Sequence, residues 1–116
     1  MATLVWELNL ELGRPAVHEA ISRLETQLRS ARQMQAAAVK LIHGYGSSGT
    51  GGKIRTACRK WLQEEMERGG IRCWIPGERF TIFDEDTRRA FISCPALRQD
   101  RDLERENRGI TLVILR

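Results

Sequence analysis

The chain reads as an α/β two-layer sandwich, with elements in the order β-α-β-α-β, an insertion, then β. Three observations predict it. Residues 3–12 alternate, with Leu4, Trp6, Leu8, Leu10 and Leu12 on one side and Val5, Glu7, Asn9 and Glu11 on the other, the period of a strand with one buried face. Two longer stretches repeat apolar residues every three or four positions, as helices that cover a sheet do. Two short apolar runs, 39–42 and 110–115, are rich in Val, Ile and Leu, as strands buried on both faces are.

The first strand is expected at a sheet edge and is broken by Gly13. Pro15 suits the first turn of a helix. Val17, Ile21, Leu24, Leu28 and Ala31 then form one stripe with Arg23, Glu25, Arg29 and Arg32 off it, so helix one spans about residues 15 to 35. Residues 39–42 are expected as a central parallel strand. Helix two runs from about residue 52 to 68, with Ile54, Ala57, Cys58, Trp61 and Leu62 inward, and Gly69-Gly70 stops it. Strand three covers 71–75 and ends at Pro76-Gly77. From there to Arg108 no periodicity is sustained, although Asp84 can cap a short helix over 84–91. Residues 76–108 therefore form an irregular insertion, open to three readings: a lid over the glycine loop, a partner-binding surface, or a packed excursion. The closing strand, 110–115, is expected to be buried on both faces, with helices one and two as right-handed crossovers.

At 116 residues the chain is expected to be one domain, residues 1–116, with one core of modest size. Aromatics are only 6% of the chain, so aliphatic residues carry that core. The charge balance, 19 Lys+Arg against 15 Asp+Glu, is compatible with a polyanionic partner without requiring one. Cys58, Cys73 and Cys94 include no Cys-x-x-Cys pair and have two histidines to assist them, which excludes a readable zinc site. Cys58 and Cys73 sit among apolar neighbours as small core residues, and such cysteine usage suits a reducing, cytoplasmic compartment. No apolar run approaches the roughly 20 residues of a membrane helix, so no membrane partner is expected. Residues 98–108 mix signs like a solvated loop, and Asp84, Asp86, Asp100 and Asp102 read as surface acids with no metal assigned.

The chemistry concentrates in residues 39–55. A strand delivers His43 into a loop containing Gly44, Gly46, Gly49, Gly51 and Gly52, and the loop opens onto a helix with Lys53 and Arg55 in its first turn. Glycines let backbone N–H groups turn outward, and a helix start adds unpaired donors and about half a positive charge. Phosphate is the guest this arrangement suits. His43 is the candidate to contact or protonate a phosphate oxygen. Gly44, Gly46 and Gly49 would cradle it, Lys53, Arg55 and Arg59 would supply charge, and Tyr45 can stack on an unpaired base. His18, on the first turns of helix one, reads as a surface or interface residue. Two other loop types fit poorly. Residues 44–49 satisfy G-x-G-x-x-G, with Glu78 where a ribose-binding acid can sit, but the strand is the second and 116 residues cannot supply two nucleotide-binding halves. A Walker loop fails because Ser47 stands at the first glycine position and Ile54 where a magnesium-binding Ser or Thr is required.

The run Ile42-His43-Gly44-Tyr45-Gly46, the helix opening Gly52-Lys53-Ile54-Arg55 and the terminal Gly109-Ile-Thr-Leu-Val-Ile strand together resemble the Smr (small MutS-related) domain. In that family a strand ending in Leu-Asp-x-His leads into a helix, a His-Gly-x-Gly loop follows the second strand, and a Gly-x-Thr-x-Val-like strand closes the fold. The chain is similar in particular to short, stand-alone bacterial Smr proteins, whose loop is extended by serine and glycine and whose insertion reads like Pro76-Gly77-Glu78 through Phe83-Asp84 to Cys94-Pro95 and Asp100-Arg101-Asp102. The resemblance implies a fold like the C-terminal domain of bacterial translation initiation factor three. It implies DNA or RNA as partner and, in several members, nicking or cleavage, here through His43 and Glu11 as candidate catalytic residues, with Mg²⁺ or Mn²⁺ entering only if the domain cleaves. One departure is clear: Leu-Asp-x-His falls on Leu10-Glu11-Leu12-Gly13, so the histidine is missing. The alternatives are a non-catalytic binding or interaction module on the ribosome or a repair complex, or a binder of a small phosphorylated ligand.

Overall fold

The computed structural model describes residues 4–45 and 51–116. Its elements are β1 (Val5–Asn9), α1 (Val17–Gln33), β2 (Ala38–Ile42), α2 (Gly51–Glu67), β3 (Cys73–Pro76), α3 (Glu85–Ser93) and β4 (Ile110–Ile114), with short 3-10 turns at Gly77–Arg79 and Pro95–Gln99. The four strands form one mixed sheet in the order β1-β2-β4-β3. β1 runs parallel to β2, with Val5 opposite Ala38 and Asn9 opposite Ile42. β4 lies antiparallel to both β2 and β3. The alternating strand is thus at an edge and the continuous apolar runs are in the middle, as burial on both faces requires.

Neighbouring residues of β2 and β4 serve opposite faces. Val39, Leu41 and Val113 join Leu24 and Leu28 of α1 and Ile54, Cys58 and Leu62 of α2 in one core. Ala38, Leu112 and Ile114 join Phe80, Ala90, Phe91 and Leu97 in a second core on the other face. The insertion, although aperiodic in sequence, supplies that second cover. Its helix α3 starts where expected, with the Asp84 carboxylate accepting from Thr87 N at 2.9 Å.

Two expectations for side chains are corrected. Leu4 and Leu12, placed on the buried face by alternation, are 46% and 71% exposed. β1 pairs only over Val5–Asn9, so the ends of the alternating run lie beyond the sheet that would cover them. Asp100 and Asp102 are not surface acids. Both pair with Lys40, on the insertion side of β2, at 2.9 Å for Asp100. Burial alone would lower the Lys40 pKa, but the two carboxylates outweigh it and the net shift is upward. Asp84 and Asp86 pair with Arg79.

Burial pushes the Cys58 thiol up to about 12 and the Cys73 thiol to about 11; Cys58 is a core residue as expected, whereas Cys73 is half-buried at the margin of the second core. Among the described residues no group of three or more His, Cys, Asp or Glu is placed to hold a metal. Among them, too, no helix is long and apolar enough to cross a membrane.

Candidate functional site

At the carboxyl end of β2 the chain stays bound to the start of β4. The N–H groups of His43 and Gly44 both donate to the Gly109 carbonyl, at 2.9 and 3.0 Å. His43 continues the alternation of Val39 and Leu41, so its ring enters the α2 side and is completely buried. Its Nδ1 lies 2.6 Å from the Gly44 carbonyl. A carbonyl only accepts, so Nδ1 carries the proton and Nε2 accepts from the Thr111 hydroxyl at 2.7 Å. The Thr111 oxygen accepts in turn from Arg59 Nε at 3.1 Å. The far edge of Arg59 donates to both Glu78 carboxylate oxygens, at 2.9 and 2.8 Å, and to the Ile110 carbonyl at 3.2 Å.

From Arg59 Nε through the Thr111 hydroxyl to His43 Nδ1, each donor points toward the loop, from α2 through β4 to the Gly44 carbonyl. The local electrostatics keep the imidazole uncharged. Desolvation, reinforced by the Arg59 and Arg55 charges, lowers the His43 pKa from 6.5 to about 4 despite the opposing Gly44 carbonyl and Glu78. Burial would raise the Glu78 carboxyl, but the Arg59 fork and the Arg55 charge hold it below its ordinary value. At neutral pH His43 is therefore a neutral pin for the loop.

Gly44 takes φ +70°, and a Cβ there would collide with the Glu11 carboxylate. The left-handed φ is what requires glycine, since the exposed Glu11 side chain could swing aside, and the close fit places Glu11 directly against the Gly44 backbone. The Glu11 segment is tied down: Glu11 N donates to Asn9 Oδ1 at 2.9 Å, and Arg23 donates to the Leu12 carbonyl at 2.9 Å. Gly13, where the resemblance would call for histidine, has φ +82° with open space around it. The obstacle to a side chain there is the left-handed backbone.

Lys53 is exposed and Arg55 half-buried, and the first turn of α2 contains no acid. Among the described residues neither cation has an ion-pair partner. Arg59 differs, being committed to Glu78 and Thr111. Tyr45 is 57% exposed, its ring 3.5 Å from where a Gly109 Cβ would stand. Gly46 and Gly49 lie outside the described residues.

The residues that complete the site come from the far end of the chain. In the sequence Thr111 and Gly109 stand out only as parts of the closing-strand motif, yet a threonine in an otherwise apolar strand buried on both faces must bond to something. Glu78, which the G-x-G-x-x-G pattern would make a ribose acid, serves instead as the Arg59 partner.

With this geometry in place, two comparisons are informative. The family model described as Smr domain matches residues 10–76, from Leu10 beside Glu11 to the end of β3. The solved Smr domain of Thermus thermophilus MutS2 is similar in structure, with a TM-score of 0.59 at 20% identity, covering 96% of this chain and 98% of that one. This likeness of fold extends over the insertion and β4. No curated protein matches the sequence significantly.

Proposed function

The chain belongs to the Smr domain family, and on that premise we propose that it binds nucleic acid through the sugar-phosphate backbone. The contact surface is the His43-Gly44-Tyr45 loop with the start of α2. The observation that carries this reading is the pair of cations Lys53 and Arg55, unpaired among the described residues on an acid-free first helical turn, beside a loop locked to Gly109. Guanidinium and ammonium groups in this setting neutralise phosphates, which makes binding insensitive to sequence and steeply dependent on salt. His43 contributes by holding the loop; Arg59 braces it through Thr111. Gly46 and Gly49 extend the same cradle in this proposal.

Nicking is a second reading, favoured by the exposed Glu11 carboxylate against Gly44. Glu11 is then the candidate to activate water, with Mg²⁺ or Mn²⁺ supplied from solution. Both readings are separated in one assay, with labelled duplex and single-stranded DNA and RNA incubated with and without Mg²⁺ or Mn²⁺. Lys53→Ala with Arg55→Ala is expected to weaken binding to all sequences and to flatten the log-log salt slope by up to about 1.8 on duplex DNA, about 0.9 for each phosphate no longer neutralised. An unchanged slope would refute the loop assignment. Cleavage abolished by Glu11→Gln, with binding retained, would establish the nicking reading. Binding without cleavage in the wild-type protein would leave a binding module, on nucleic acid alone or within a ribosome or repair complex.

A further inference from the structure

Next to Tyr45 lies an open, mostly polar depression of about 520 Å³ lined by Tyr45, Asp102, Arg105, Glu106, Asn107 and Arg108. Apart from Tyr45, its walls belong to the insertion. Building on the reading of this loop as a nucleic-acid contact, we propose that the depression receives an unpaired nucleotide. Its base would stack on Tyr45 and its flanking phosphates would meet Arg105 and Arg108. The preferred substrate class is therefore single-stranded or locally unpaired nucleic acid.

The chemistry of the lining favours that occupant. Tyr45 is 57% exposed, and one edge of its ring lies beside Gly109, 3.5 Å from where a Cβ would stand. Arg105 and Arg108 are exposed, and among the described residues neither pairs with a carboxylate. Of the two acids, Asp102 pairs with Lys40, a cation it shares with Asp100, and accepts from Asn107 Nδ2 at 2.9 Å. Glu106 remains as an acceptor at the rim for base N–H groups. An aromatic platform flanked by guanidinium groups is what an unpaired base and its backbone bind. A continuous duplex keeps its bases stacked inside and cannot occupy the platform.

The depression is also preformed. Glu104 and Glu106 take left-handed φ values of +67° and +52°, conformations that cost energy in residues other than glycine. Glu104 is held there by surrounding bonds. Glu104 N donates to the Phe80 carbonyl at 3.0 Å, and its carboxylate accepts from Thr81 Oγ1 at 2.7 Å and Ile82 N at 2.6 Å. Asn107 Oδ1 accepts from Gly109 N at 2.8 Å, which joins this turn to the strand start that also holds His43 and Gly44. A turn held by these bonds loses little conformational entropy on binding.

The test uses fluorescence anisotropy with a labelled, unstructured 12-nucleotide single strand and its duplex, titrated with the intact protein at two salt concentrations. Tyr45→Ala is expected to weaken single-strand binding about tenfold or more and duplex binding by a clearly smaller factor, with Tyr45→Phe restoring affinity. Arg105→Gln with Arg108→Gln should lower the single-strand salt slope by about 1.4, that is, about 0.7 per phosphate. Equal losses on both substrates, or no loss on either, would overturn the inference while leaving phosphate binding by Lys53 and Arg55 intact. A wild-type protein that binds neither substrate would overturn the nucleic-acid reading itself, and this inference with it.

Discussion

Lys40→Ala is expected to destabilise the fold by about 3 to 5 kcal/mol, because it leaves two carboxylates facing each other without their cation in a largely buried site. The Lys40 side chain is 3% exposed and those of Asp100 and Asp102 are each 13% exposed, so water can replace little of what is lost. Urea unfolding followed by circular dichroism measures it. A loss below about 1 kcal/mol would mean that solvent reaches the pair in solution. Adding Asp100→Asn and Asp102→Asn to Lys40→Met should recover much of the loss, since no buried charge then remains. The same variants probe the site. Asp102 also accepts from Asn107, and Asn107 accepts from Gly109, so loosening this pair should soften the turn that presents Arg105 and Arg108.

The second large effect is in acid. With the His43 pKa lowered from 6.5 to about 4 in the folded protein, the unfolded chain takes up a proton at this position before the folded chain does. Stability is therefore complete above pH 6.5, falls as pH drops through the window between 6.5 and about 4, and stops falling from this cause below it. The shift corresponds to about 3 kcal/mol. Thermal unfolding of the wild type and of His43→Gln from about pH 7.5 down to about pH 4 isolates this contribution, because the carboxylates are common to both. His43→Gln should be less stable at neutral pH, having lost the imidazole's fit between Gly44 and Thr111. The gap between the two proteins should then shrink as pH falls. Parallel curves would show that the imidazole titrates normally and is open to solvent.

Much of this molecule is legible along the chain. The 3–4 spacing of Val17, Leu24, Leu28 and Ala31 marks α1 to within about two residues, and Asp84 marks the start of α3. These succeed because capping and amphipathic spacing act within a turn or two of helix. Even so, alternation places Leu4 and Leu12 in the core, because period two states which side a residue faces and not whether the sheet extends far enough to cover it. The aperiodic stretch 76–108 could not show its role for a related reason. Phe80, Ala90, Phe91 and Leu97 bury themselves from turns and a short helix, without a repeat long enough to be read.

By itself the sequence determined the order of the elements, the glycine loop with His43 at the end of the second strand, and the cations at the start of the helix that follows. All of these depend on neighbours in the chain. Only the tertiary structure decided what His43 touches. Its partner Thr111 is 68 positions away, and the Lys40 partner Asp100 is 60 away. Thr111 is brought in because β4, last in sequence, inserts between β2 and β3, and Asp100 because the insertion covers the opposite face of the sheet. The imidazole becomes neutral and doubly bonded only through that burial, since local sequence sets which groups can ionise or donate, and desolvation by distant elements sets which of them do.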